Sequence, residues 1–348
     1  MRRPIIGATV GAVTAGTLFL AGCSSSSSSP SASGSSSSGS ASAPVTLRLG
    51  LLANITHAPA LVGIQKGFFT KNLGSNKLTT TVYNSGTQET TAILAGQLDA
   101  AYVGPNPAIN AFQKSGGTAI KIISGAATGG ASVVVKPSVT SAAGLKGKVV
   151  DTPSLGNTQD VAIRYWLKQN GLATTTTGGG DVTIKPTNPN SDAVLQFQSG
   201  QIAGASEPSP YDVEMVKDGG KVLFTEPGVT TLLVVTQSFL KAHPAVVSDL
   251  LKGQIEANDY IAKDTAAAQT AANAELTALT GKGIKASILP AAFKEITFTN
   301  NPDASSLTTD AQQAKAVGLL TSTNLSGIFD LAPLNQLLQA AGEPQVNS

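Results

Sequence analysis

The order of secondary structure along the chain is the feature that most limits its fold. From residue 45 onward, β-rich runs alternate with helical patterns, and Gly, Pro, Asn and Ser fill the turns. The predicted strands are 47–52, 78–83, 99–103, 120–124, 132–135, 148–151, 182–186, 202–205, 222–224 and 232–236. The predicted helices are 58–69, 87–95, 108–114, 158–170, 192–198 and 211–217, and the chain is mainly helical from residue 239. This alternation is typical of βαβ units in open α/β sheets.

The alternation runs through two successive series, which predicts an α/β protein of two lobes, each an open sheet flanked by helices. Glycine and proline cluster at Gly129–Gly130 and at Pro227–Gly228, so we expect two crossover strands there. The first lobe then comprises residues 45–130 and 228–348, and the second comprises residues 131–227. The alternative is a single continuous sheet with glycine-rich turns.

The N-terminal segment is typical of an export signal rather than of a folded domain. Arg2 and Arg3 precede a short apolar run, which ends in Leu-Ala-Gly-Cys at Cys23. That ending resembles the lipobox of bacterial lipoproteins, so we predict a signal peptide over 1–23 and lipidation of Cys23. Ordinary secretory cleavage that leaves a free thiol is the alternative. Residues 24–44 are almost entirely Ser, Gly, Ala and Pro, which predicts a disordered tether.

Composition excludes several other classes of protein. Cys23 is the sole cysteine, so a disulfide framework is excluded and stability must come from a core. A net charge of +2 with 13% charged residues gives no basic field for nucleic acid. The two histidines, His57 and His243, lie far apart in the sequence, so neither a zinc site nor a catalytic triad is expected. We therefore predict no cofactor, no metal and no enzymatic activity.

The turns between strands and helices share one chemistry. They are 54–59, 84–87, 104–107, 155–159, 188–191 and 206–209, and they contain Asn, Ser, Thr, Gly and Pro. In an open α/β sheet such turns meet at the carboxyl ends of the strands, where helix N-termini favour polar or anionic ligands. Gly86, Gly104 and Gly156 would allow a ligand to approach the backbone closely, while Asn106 and Pro107 suit the N-cap and first position of a helix. Each turn taken alone is better explained by ordinary helix capping, and the set of turns is more informative than any single member.

Five segments of the chain resemble the substrate-binding proteins of ABC importers, in the sulfonate, taurine and nitrate-type group. They are THAPALVGIQKGFF (56–69), AILAGQLDAAYVGPNPAINAF (92–112), SAAGLKGKVVDTPSLGNTQDVAIRYWLKQNGL (141–172), AVLQFQSGQIAGASEPSPYDVEMV (193–216) and FLKAHPAVV (239–247). The resemblance implies a two-lobed periplasmic-binding-protein-like fold of type II that closes over a small ligand.

The resemblance also implies where the ligand binds. The expected ligand-binding residues are Thr56, His57, Gly86, Thr87, Gly104, Asn106, Asn157, Thr158 and Glu207. Two positions depart from the family pattern, since Asn106 stands where an acidic residue is common and Ser209 where an aromatic residue is common. We further expect Tyr102 or Phe197 to form an apolar wall, Arg164 to face away from the site, and Trp166 to pack in a core.

The expected function is that of an exported, lipid-anchored solute-binding protein that delivers a small polar or anionic solute to an ABC permease and ATPase. An aliphatic sulfonate such as taurine is the preferred solute, because SO₃⁻ suits helix N-termini. Nitrate, bicarbonate and a pyrimidine or thiamine precursor are alternatives. A surface sensor without transport and an enzyme that makes such a precursor are the alternatives from other classes.

Overall fold

The computed structural model of the protein describes residues 43–348. The predicted signal peptide, its lipidation site Cys23 and residues 24–42 of the predicted tether lie outside these residues. The strands are β1 (Thr46–Leu52), β2 (Lys77–Tyr83), β3 (Ala100–Val103), β4 (Ile120–Gly129), β5 (Ala131–Val135), β6 (Val149–Thr152), β7 (Thr183–Pro186), β8 (Gly204–Pro208), β9 (Lys221–Thr225), β10 (Val229–Thr236) and β11 (Ile296–Phe298).

Helices follow most strands of the first two-thirds of the chain and dominate the last third. They are α1 (Ala58–Gln65), α2 (Phe68–Leu73), α3 (Gly86–Leu94), α4 (Pro105–Lys114), α5 (Thr158–Gln169), α6 (Asn190–Gln198), α7 (Tyr211–Lys217), α8 (Gln237–Ala242), α9 (Pro244–Lys263), α10 (Thr265–Thr280), α11 (Leu289–Lys294), α12 (Ala304–Ala316) and α13 (Ala332–Ala341). Two 3₁₀ turns lie at Ile55–His57 and Ala142–Leu145.

The strands form two separate sheets. One sheet has the order β11-β4-β10-β3-β1-β2 and the other β7-β6-β8-β5-β9. β1 pairs in parallel with β2 and β3, and β6 pairs in parallel with β7 and β8, whereas β5 and β10 are antiparallel to their neighbours. The predicted α/β class is therefore confirmed, and the single continuous sheet is wrong.

The chain passes between the sheets at two glycine-containing segments. β4 of the first sheet and β5 of the second flank Gly130, and β9 and β10 flank residues 226–228. Gly129, Gly130 and Gly228 all have positive φ angles, which glycine adopts without the steric cost that other residues incur. The division into two lobes at these points stays a prediction.

Alternating side chains of the strands place a hydrophobic layer on each face of both sheets. Leu47, Leu49 and Leu51 of β1 pack on one face with α1, α9 and α10, because residues two apart point to the same side of a strand. Ala101 and Val103 of β3 face the opposite side, towards α4 and α12. Two smaller clusters cover the faces of the second sheet.

Two helices differ from the sequence prediction by more than two residues. The predicted helix 58–69 is two helices, because Gly67 takes a left-handed conformation at φ 71° between them. The predicted helix 108–114 begins earlier, at Pro105, with Gly104 rather than Asn106 at the N-cap. Pro105 can occupy the first helical position since it needs no hydrogen-bond partner for an N–H there.

Among residues 43–348, no helix combines the length and the hydropathy that a membrane span requires.

Candidate functional site

Turns from both sheets converge on one cleft. Its walls come from the turns after β1, β2 and β3 of the first sheet and after β6, β7 and β8 of the second, together with Thr230 of β10. The volume of the cleft that water-sized molecules can enter is about 60 Å³, which is enough for a few waters. The predicted set of strand-to-helix turns therefore meets in space, at the carboxyl ends of the parallel strands.

Helices α3 and α5 bring unpaired backbone donors to this cleft. Ser85 Oγ accepts the N–H of Gln88 (3.3 Å) at the start of α3, and Asn157 Oδ1 accepts the N–H of Asp160 (2.8 Å) at the start of α5. Each cap serves only one of the first N–H groups, so those of Gly86, Thr158 and Gln159, which line the cleft, stay open to a ligand. Because α3 packs on the first sheet and α5 on the second, two partly positive helix ends approach the cleft from different sheets.

Prolines limit the donors at α1 and α4. Pro59 lies in the first turn of α1, and Pro105 and Pro107 lie in that of α4. The predicted ligand residue Asn106 is buried within α4 rather than in a turn, and its Nδ2 donates to the carbonyl of Asp310 (3.3 Å). Asn106 therefore does not line the cleft, because the earlier start of α4 turns it towards α12.

His57 lines the cleft as a neutral hydrogen-bond donor. Complete burial lowers the pKa of its imidazole to about 3. The backbone N–H of Leu52 donates to Nδ1 (3.2 Å), which places the imidazole proton on Nε2. Thr56, beside it, donates through Oγ1 to Asn54 Oδ1 (2.8 Å).

Of the described residues that line the cleft, none carries a charge. Arg164 lies outside it, as expected, and its Nε donates to Asp160 Oδ2 (2.9 Å) in a buried ion pair within α5. Arg48 pairs with Asp99 at the other end of β1. An anion in the cleft would therefore be held by helix ends, hydroxyls, amides and the neutral imidazole of His57, without a charged side chain among the described residues.

Two tyrosines that were not expected at the site form the aromatic wall of the cleft. Tyr83 and Tyr211 line the cleft, and the hydroxyl of Tyr211 donates to the carbonyl of Ala53 (3.0 Å). The expected wall residues are wrong. Tyr102 is buried in the core of the first sheet and donates to Gln254 Oε1 (2.5 Å), and Phe197 is buried in a core of the second.

Glu207 belongs to a strand and not to the predicted turn 206–209. β8 extends to Pro208 because its whole length pairs with β5, and this register buries Glu207 completely. Asp151 on the neighbouring strand β6 is also fully buried, and neither its carboxyl nor that of Glu207 has a hydrogen-bond partner among the described residues. Burial and the charge of Asp151 raise the pKa of Glu207 well above its usual value, and burial raises that of Asp151 to about 7. Glu207 thus lies behind the cleft wall as one of a buried carboxyl pair.

Contacts across the cleft tie the two sheets together. Thr87 does not line the cleft, but its hydroxyl lies 3.0 Å from that of Ser154 after β6. The N–H of Ile55 donates to the carbonyl of Ser209 (2.9 Å). At Gly104, a Cβ atom would lie only 2.7 Å from Thr158 Oγ1. This form of the protein is therefore closed around the cleft.

Six of the nine expected ligand residues line the cleft, namely Thr56, His57, Gly86, Gly104, Asn157 and Thr158. Thr87, Asn106 and Glu207 do not. Further polar lining residues are Asn54, Asn84, Ser85, Gln159, Asn190 and Thr230. All but Thr230 lie in the predicted turns, so their position in those turns would have been enough to select them as lining residues. Thr230 lies on β10, a strand that returns from the second sheet, and no local pattern marks it.

Within the described residues, no group of three or more His, Cys, Asp or Glu side chains has an arrangement suited to a metal ion. No curated protein sequence matches the chain significantly. A sequence model of the NMT1-like family, however, matches residues 40–276. The chain belongs to the NMT1-like family. The predicted relationship to sulfonate-, taurine- and nitrate-type binding proteins is confirmed at the level of family and fold.

Solved structures resemble this NMT1-like chain over most of its length. The alkanesulfonate-binding protein SsuA from Xanthomonas axonopodis pv. citri, bound to MOPS, is 17% identical with a TM-score of 0.68, and the match covers 81% of this chain and 96% of SsuA. The periplasmic nitrate-binding protein NrtA from Synechocystis PCC 6803 is 16% identical with a TM-score of 0.70, over 86% of this chain and 90% of NrtA. The enzyme DszB, in complex with biphenyl-2-sulfinic acid, is 16% identical with a TM-score of 0.61, over 86% of this chain and 100% of DszB. At these identities the similarity establishes the fold.

Proposed function

We propose that the protein is the solute-binding component of an ABC import system. The observation that supports this most strongly is the uncharged cleft, in which the open N-termini of α3 and α5 meet from different sheets. Such a site can bind a small polar or anionic solute, and among the described residues its lining includes no carboxyl or thiol group. The presence of solute-binding proteins among the structural neighbours agrees with this function.

In this proposal the two sheets belong to two lobes that close over the solute. The first lobe comprises residues 45–130 and 228–348, and the second comprises residues 131–227. Solute that contacts α3 and α5 together would stabilise the closed form, and it can shift the equilibrium only by its preference for that form over the open one. The permease would then recognise the closed protein.

The solute that we propose is an aliphatic sulfonate such as taurine. Its SO₃⁻ group would accept hydrogen bonds from the free N–H groups of α3 and α5 and from His57 Nε2, while Tyr83 and Tyr211 would contact its carbon chain. Thr158 Oγ1 is buried without a partner and provides a further donor. Nitrate or bicarbonate would use the same donors without the apolar contact.

A neutral pyrimidine or thiamine precursor is the second candidate solute. The specific observation in its favour is that the described lining residues include two tyrosine rings and no charged side chain. Amide side chains such as Asn54, Asn84 and Gln159 could pair with ring nitrogens, and a tyrosine could stack on the ring.

We further propose that the protein is exported and anchored to the membrane through lipid on Cys23. Residues 24–44 would act as a tether of about 20 residues with a root-mean-square reach of roughly 25 Å. This reach would let the protein meet its permease and ATPase partners at the membrane.

A thermal-unfolding screen of the purified protein tests the solute proposal. The ligands are taurine, other alkanesulfonates, nitrate, bicarbonate and pyrimidines. A ligand present at 1,000 times its Kd stabilises the protein by about 4 kcal/mol, a shift of several degrees. Stabilisation by sulfonates supports the anion site, and stabilisation by neutral heterocycles alone would replace it with the second candidate. If no small solute stabilises the protein, the transport function is wrong and the sensor alternative gains support.

A further inference from the structure

A second cavity lies beyond Thr158, outside the cleft described above. Its volume is about 480 Å³, within the range of small-molecule sites. Helix α5, the segment that follows β9, and helix α12 form its walls. Since α5 packs on the second sheet, and Leu307 and Ala311 of α12 pack in a core of the first, the cavity touches both halves of the fold.

Helical spacing directs a defined set of side chains into this cavity. On α12, Ser306, Asp310 and Gln313 are four and three residues apart and therefore share one face. On α5, Tyr165 and Trp166 point to the same space. Leu307 and Ala311 form the buried face of α12. Ser306, Asp310 and Gln313 therefore form a separate, polar stripe that lines the cavity.

Two carboxyl oxygens in the cavity wall have no hydrogen-bond partner within the described chain. Glu226 is only 4% exposed; its Oε1 accepts from Ser206 Oγ, but its Oε2 accepts nothing. Oδ2 of Asp310 is likewise buried and unpartnered, although the residue as a whole is partly exposed. Asp303 adds a third carboxyl, and none of the described residues that line the cavity is a lysine, arginine or histidine.

The electrostatics show that these carboxyls lack a counter-charge. Burial raises the pKa of Glu226 to about 7, and burial together with the charge of Glu226 raises that of Asp310 well above its usual value. A buried carboxylate is costly unless a cation or donor accompanies it. A bound cation would supply the missing charge to both groups at once.

An aromatic surface completes the cavity. The rings of Trp166 and Phe224 are stacked, with centroids 4.8 Å apart and planes inclined by 22°. Both residues are only partly buried, and both line the cavity with Tyr165. Aromatic faces next to carboxylates favour organic cations, because the ring quadrupole and the carboxylate attract the same charge.

We propose that this cavity is a second ligand site, which binds a small organic ammonium ion. Its N–H groups donate to Glu226 Oε2 and Asp310 Oδ2, and its carbon chain lies against Trp166 and Phe224. The ammonium ion takes the place of one proton that the two carboxyls otherwise hold, and that proton is released to solvent. Because the site joins α5 to α12, its occupation favours the closed form whatever solute the first cleft takes.

Tryptophan fluorescence of the full protein provides the test, since Trp166 is the only tryptophan in the chain. The probe is n-butylammonium at mildly alkaline pH, and butan-1-ol, which is similar in size but uncharged, is the matched control. We expect a saturable change in Trp166 emission with n-butylammonium and none with butan-1-ol at equal concentration. Glu226→Gln and Asp310→Asn should each weaken binding about tenfold, the equivalent of one charged hydrogen bond.

Asp192→Asn, a change on α6 outside the cavity, should leave the affinity for n-butylammonium unchanged. Asp310→Asn is the safer variant, because Asp310 is partly exposed and accepts no side-chain bond at Oδ2. The proposal is overturned if n-butylammonium produces no saturable change, if butan-1-ol binds as tightly, or if a folded Asp310→Asn variant keeps the original affinity.

Discussion

Replacing Gly104 by alanine should impair closure without disturbing the fold. Gly104 has φ −66° and ψ 155°, angles that alanine adopts freely, so the change introduces no backbone strain. The new Cβ would lie 2.7 Å from Thr158 Oγ1, well inside ordinary van der Waals contact. Overpacking of this kind costs about 2 kcal/mol, here only in the closed form, and this corresponds to about a 30-fold weaker Kd.

Isothermal titration calorimetry with the best ligand of the solute screen measures this effect. Gly144→Ala is the matched control, because its Cβ would meet nothing closer than 3.4 Å. Thr158→Ala removes the clashing oxygen, so a double-mutant cycle isolates the contact. Unchanged affinity of Gly104→Ala, or the same effect in the Thr158→Ala background, would show that this contact does not oppose closure.

Three further predictions concern stability and salt. Burial raises the pKa of Asp151 to about 7 and that of Asp212 to about 8, whereas the pKa of an aspartate in the unfolded chain is about 3.9. Between about pH 4 and pH 8 the folded protein therefore binds more protons than the unfolded chain, and its unfolding free energy falls as the pH rises. Denaturant titrations across this range should show a loss of about 4 kcal/mol from Asp151 alone that Asp151→Asn removes; a flat profile would contradict it. Asn157→Ala and Ser85→Ala should each destabilise the protein by about 1 kcal/mol in the same assay by removing a helix N-cap, and unchanged midpoints would show that neither cap matters. Affinity for an anionic solute should fall less than tenfold between low and physiological salt, because no charged side chain of residues 43–348 lines the cleft; a larger loss would point to an unrecognised cation.

Local patterns predicted the architecture because the spacing of apolar residues, with period 2 in strands and period 3.6 in helices, can be read within a short stretch of sequence. The turns after the strands follow from the same patterns, and parallel pairing then brings those turns together. For this reason the turns that contain Thr56, Gly86 and Asn157 could be placed at the cleft without knowledge of the sheet order, whereas the choice of these individual residues came from the family resemblance.

Features that depend on strand register or on distant partners could not be predicted in this way. Glu207 is buried because β8 pairs with β5 along its whole length. Thr230 reaches the cleft because β10 returns to the first sheet beside β3. Tyr102 points into the core rather than the cleft, since one position along a strand reverses the direction of a side chain. Glu226 and Asp310 line the same cavity only because α12, far along the chain, packs against α5.

The most direct test of the central claim is a ¹⁵N NMR titration of the labelled protein with taurine. We predict that the backbone amides of Gly86, Thr158 and Gln159 shift together and saturate with a single Kd, because these N–H groups hold the anion. If taurine binds but these three amides stay in place while signals elsewhere move, the helix ends do not form the site.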